Sequence, residues 1–130
     1  MNGLGAAWAP QMLSILRIMS ALLFIAHGTQ KLFGFPAGER GMPPLFSIYG
    51  LAGVLETFGG ILLLIGLFTR PVAFVLSGMM AVAYFMAHAP QNFYPANNGG
   101  DAAILFCFVF LYFFTAGPGP WSVDAKRGDA

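Results

Sequence analysis

Residues 50–68, GLAGVLETFGGILLLIGLF, form an apolar run of bilayer-spanning length with one ionisable residue, Glu56, well inside it. A carboxylate at hydrocarbon depth is costly and persists where it has a partner or a task. On a helix turning about 100° per residue, Tyr49, Ala52, Gly53, Glu56, Gly60 and Leu63 share one face. Small residues beside the acid let a neighbouring helix come close, so this face points into a bundle and not at lipid. Glu56 then either fixes helix packing through a buried pair or serves a site, and intramembrane acids favour the second.

The rest of the chain agrees with a membrane setting. Of its 130 residues 58% are hydrophobic and 8% charged, and the mean hydropathy is +0.74. Those values exclude an ordinary soluble domain. A net charge of +1 offers neither a basic patch for nucleic acid nor a disordered acidic tail. Four spans are predicted, at about 12–33, 48–68, 72–89 and 99–115, giving one all-α integral membrane four-helix bundle over 1–130 in contact with the lipid bilayer. Arg70-Pro71 makes the second connection tight, so the second and third spans are antiparallel neighbours. The single cysteine, Cys107, forms no intrachain disulfide and reads as a buried, inert thiol.

The first apolar run is too long for a cleaved signal peptide and reads as a retained span; with no Arg-rich transit sequence, a bacterial plasma membrane is expected. Arg17, Arg70, Lys126 and Arg127 fall on one side, Lys31 and Arg40 on the other. That bias puts both termini in the cytoplasm, with Trp8 and Trp121 as interfacial anchors on that side.

Each span carries a polar stripe. Ser14, Arg17, Ser20, His27, Gly28 and Lys31 share an arc of the first; Ser77, Ala81, Tyr84 and His88 line the third; Asp101, Phe108, Tyr112 and Thr115 line the fourth. At about 1.5 Å per residue from the cytoplasmic ends, Glu56, Tyr84, Asp101, His27 and His88 all lie about 18 to 24 Å deep. His27 is the expected partner of Glu56. Arg17 is too far along the axis, and Lys31 can snorkel outward. A belt of acid and imidazole groups beside aromatic walls (Tyr84, Phe85, Phe108) suits proton exchange with a quinone-like molecule. Glu56 and His27 are the candidate catalytic pair; Arg17, Lys31, Tyr84, His88 and Asp101 are candidate ligand-binding residues. A b-type haem on His27 and His88 is not expected, nor is a metal site, since neither Glu-x-x-His nor His-x-x-x-His spacing occurs. No phosphate loop or nucleophile elbow is present.

Segments RIMSALLFIAHGTQKLFGF (17–35), GLAGVLETFGGILLLIGLFTRP (50–71), NNGGDAAILF (97–106) and GPGPWSVDA (117–125), with the His88 region, resemble the DoxX family of small four-span bacterial membrane proteins. The family pattern matches Arg17, His27, Gly28, Lys31, Glu56, Thr69, Arg70 and Pro71. Asp101 stands where Glu is common and Pro120 where a basic residue is frequent. The resemblance implies a membrane subunit tied to quinone redox chemistry, as in thiosulfate:quinone oxidoreductase, or to thiol and oxidative-stress defence. It further implies a protein partner or a homo-oligomer. A non-catalytic scaffold subunit is the alternative.

Overall fold

A computed structural model describes residues 3–39 and 41–130; Arg40, counted above for orientation, lies outside them. In chain order the helices are α1 (Leu4–Ala7), α2 (Ala9–Phe33), α3 (Ile48–Ile65), α4 (Thr69–Ala83), α5 (Pro95–Asn98), α6 (Asp101–Ala116) and α7 (Val123–Arg127). α4 runs on through a π-helical turn, Tyr84–His88, and a 3-10 turn, Ala89–Gln91. Three segments are long and apolar enough to cross a membrane, Ala9–Phe33, Ile48–Ile65 and Thr69–Gln91, and Asp101–Ala116 is a shorter apolar helix. The fold is an all-α membrane bundle.

The observed ends differ from the expected ones where capping chemistry overrides hydropathy. The second span stops at Ile65 because Gly66 takes the left-handed conformation (φ 71°). The third starts at Thr69, ahead of Pro71, which the first turn of a helix tolerates because its N–H is not needed there. The fourth begins at Asp101; residues 95–98 form their own short helix, closed by left-handed Gly99.

α2 lies along α3, and α4 along α6; the pairs meet chiefly through α3 and α4. The α2–α3 seam is narrow because it is built on glycine. A Cβ on Gly28 would collide with Thr57 and come within 2.9 Å of the Glu56 Cβ, and one on Gly53 would lie 2.8 Å from the Lys31 Cβ. Close approach of this kind stands in for the hydrophobic effect, which lipid does not supply. The core is Ala21, Phe24, Leu63, Ala73, Leu76, Met80, Phe110 and Phe113. Phe24 meets Phe110 edge-on with centroids 4.9 Å apart, and Phe110 stacks on Phe106 at 5.5 Å.

The start of α2 meets the C-terminal segment 117–127, which closes that end of the bundle. The Arg17 guanidinium, 1% exposed, donates to the carbonyls of Leu63 (2.8 Å) and Trp121 (2.7 Å), and to those of Leu64 and Pro118. The planar fork serves several acceptors at once, which a lysine ammonium cannot do. Ser14 Oγ accepts from Trp121 N (3.0 Å). Asp124 accepts from the Phe68 and Thr69 amides, both at 2.9 Å, and so caps α4 from a distant part of the chain. Burial alone would raise the Asp124 carboxyl. The hydrogen bonds from Thr69 and Phe68, with Arg127 nearby, outweigh it and hold the group below its ordinary value.

Two outcomes follow. Arg17→Lys leaves several buried carbonyls without a donor and lowers stability by about 3 kcal/mol; thermal unfolding in detergent measures this, and faster proteolysis after residue 117 reports the freed segment. Because the native pKa of Asp124 is depressed, its contribution is complete above the unfolded carboxylate pKa and is lost as pH falls through the native value. Asp124→Asn is therefore less stable than the parent at neutral pH by about 1–2 kcal/mol, and the two melting temperatures converge on acidification below about pH 4.

Candidate functional site

The opposite end of the bundle is hollow. A cavity of about 750 Å³ lies among α2, α3, the end of α4 and the start of α6, with the loop at residues 38–43 along its rim. Small side chains leave the room: Ala52, Ala83, Ala87, Ala102 and Ala103 face it, whereas Phe24, Met80 and Phe106 form its floor and wall. The polar groups on its lining include His27, Lys31, Glu56 and His88, drawn from three helical segments.

Glu56 is 3% exposed. Its Oε1 accepts from Lys31 Nζ at 2.6 Å, and its Oε2 is buried with no hydrogen-bond partner among the described residues. The expected His27–Glu56 pairing is thus replaced by Lys31–Glu56, and Lys31 does not snorkel outward. The direction of the Cα–Cβ bonds explains this. Side chains lean toward the N-terminus of their helix. Lys31, at the C-terminal turn of α2, leans back into the bundle, and Glu56, on antiparallel α3, leans toward it. The glycine seam removes the remaining separation. His27, one helical turn from Lys31, opens onto the same cavity beside the edge of Phe106, with ring centroids 6.3 Å apart.

His88 reaches the cavity from the π-helical turn. Its Nδ1 lies 3.0 Å from the Asn98 carbonyl. A carbonyl only accepts, so Nδ1 carries the proton and the neutral ring keeps its lone pair on Nε2. Asn98, 4% exposed, ties this corner together. Its Nδ2 donates to the Tyr84 hydroxyl (3.1 Å) and the Asn92 carbonyl (3.0 Å), and its Oδ1 accepts from Gly100 N (2.7 Å). Sequence reading passed over Asn98, whose partners meet it only through the turns at 92–100. The π turn was equally invisible, although such turns recur beside sites.

Three other sequence candidates lie off the cavity lining. Arg17 is at the terminal end, engaged with backbone carbonyls. Tyr84 stands behind the wall, its ring so close to Gly100 that a Cβ there would lie 2.6 Å from it. Asp101 is exposed in the first turn of α6, where an acid complements the helix dipole. Phe108, Tyr112 and Thr115 are exposed too, so the polar stripe of α6 faces outward and its buried face is Ala103, Phe110 and Phe113. The aromatic walls are Phe24 and Phe106, in place of Phe85 and Phe108. Among the described residues no cluster of three or more His, Cys, Asp or Glu side chains is arranged to hold a metal ion.

Comparison with known proteins adds the lineage. An uncharacterised protein of Haemophilus influenzae is 44% identical over 128 residues, covering 92% of each chain. An uncharacterised membrane protein of Mycobacterium tuberculosis is 30% identical, over 92% of this chain and 83% of its own. The inner membrane protein YphA of Escherichia coli is also 30% identical, over 94% of both. No solved structure matches the chain. The DoxX family model matches residues 12–89, a span that holds Arg17, His27, Lys31, Glu56 and His88, and the chain belongs to the DoxX family of membrane proteins.

Proposed function

We propose that the cavity binds a quinone or a similar apolar redox molecule, with Glu56 and His27 exchanging its protons. The carrying observation is one carboxylate oxygen without a protein partner, buried at a cavity whose other lining is mostly apolar. Buried polar atoms are normally hydrogen-bonded, and an exception at a cavity points to a ligand. Met79, Met80 and Met86 line the same space, and their flexible thioethers fit a chain of variable shape.

Reduction of a quinone takes two electrons and two protons. The electrons come from a redox partner protein, in keeping with a subunit of a larger complex, and this chain supplies the proton path. Lys31 pairs with the Glu56 carboxylate and orients it, Oε2 takes or returns the headgroup proton, and His27 passes it toward the rim. His88 orients the headgroup from the far wall. With both termini cytoplasmic, the cavity lies in the outer half of the bacterial inner membrane. The scaffold reading draws on the terminal end, where Arg17 and Asp124 serve assembly alone; it requires the cavity to be incidental.

The test is binding of a decyl-substituted benzoquinone by purified protein in nanodiscs. Wild type binds. Ala52→Phe, which fills the space from the α3 wall, weakens binding at least tenfold (about 1.4 kcal/mol) with the melting temperature unchanged. Equal affinity in the two proteins removes the cavity from the function and leaves the scaffold.

A further inference from the structure

We infer that the cavity discriminates between the two redox forms of its ligand and prefers the reduced, hydroxyl-bearing one. The inference rests on the reading of the cavity just given and follows from the direction of its hydrogen bonds. Two of the polar groups on the lining, the Glu56 carboxylate and the His88 ring, each present an acceptor that no described residue partners. Glu56 Oε1 accepts from Lys31 Nζ at 2.6 Å, and Oε2 of the carboxylate in that ion pair is an acceptor with no partner among the described residues. His88 has its Nδ1 proton committed to the Asn98 carbonyl, so in the neutral ring Nε2 accepts only.

A quinone carbonyl is itself an acceptor. It satisfies one of the remaining Lys31 protons but leaves both acceptors bare, and its oxygen is set against the carboxylate. A hydroxyl donates and accepts, so it serves Glu56 and Lys31 together, and a second hydroxyl can donate to His88. A site with a buried group awaiting a partner rejects the analogue that lacks it more strongly than a missing apolar contact would. His88 is positioned for this by the fold. The π turn at Tyr84–His88 and the bonds that fix Asn98 hold the carbonyl that sets its tautomer. Asn98 acts through His88 and is a positioning residue.

The experiment compares the decyl-substituted benzoquinone with its quinol, the latter kept anaerobic, on the intact protein in nanodiscs. The quinol binds about tenfold or more tightly than the quinone. Glu56→Gln and His88→Ala each reduce that ratio at least threefold, chiefly through loss of quinol affinity. Ring nitrogen NMR of wild type shows the His88 proton on Nδ1, a readout that a merely structural histidine in another tautomer would not give. Equal affinity for the two forms, or a proton on Nε2, overturns the preference and leaves the quinone site standing. Binding of neither form overturns both. If Glu56→Gln does not fold, His88→Ala alone decides.

Discussion

Hydrocarbon offers no hydrogen bonds, so a polar atom inside this bundle is answered by the protein or stays unanswered. That constraint orders the molecule. At the terminal end Arg17 is answered by carbonyls of α3 and the C-terminal segment, Ser14 by Trp121 and Asp124 by the first amides of α4, while Gln11 Oε1 and Thr69 Oγ1 are buried without a partner. At the other end, Lys31 pairs with one oxygen of the Glu56 carboxylate, and the other is buried without a hydrogen-bond partner among the described residues.

Side-chain size divides the bundle along the same line. Phe110, Phe113, Leu63 and Leu76 fill the interior below the cavity, and five alanines on its lining leave the space that Phe24, Phe106 and the methionines bound. The glycine seam brings residues 25–32 of α2 against residues 53–60 of α3, so the hollow is not looseness of the whole bundle. It lies between the α2–α3 pair and the α4–α6 pair, where both have thin walls. A membrane protein can leave such a space because lipid-facing packing, not a central hydrophobic collapse, carries much of the association.

The class of fold was legible from hydropathy, and the inward face of the second span from the company Glu56 keeps. Of the predicted face, Gly53, Glu56, Gly60 and Leu63 are buried where a regular period puts them, whereas Tyr49 is exposed. The membrane lineage was legible too, from motifs spread over nearly the whole length. What periodicity could not supply was direction. It assigned Lys31 an outward reach and gave Glu56 to His27, because depth measured at Cα ignores the tilt of Cβ. It gave Asp101 an inward face, because one acid at a helix start has no period to read. The corner at Asn98 depends on turns between residues 92 and 100, whose geometry leaves no repeating mark in the residues.

The Arg17 and Asp124 contacts also bear on biosynthesis. Residues 118–124 leave the ribosome after every membrane-crossing helix has been made, yet they supply acceptors for α2 and the cap for α4. The helices therefore enter the bilayer before their common end can lock. Until then Arg17 lacks two of its carbonyls and the first turn of α4 has bare amides. The contacts that close this end of the bundle therefore form only once residues 118–124 have been made.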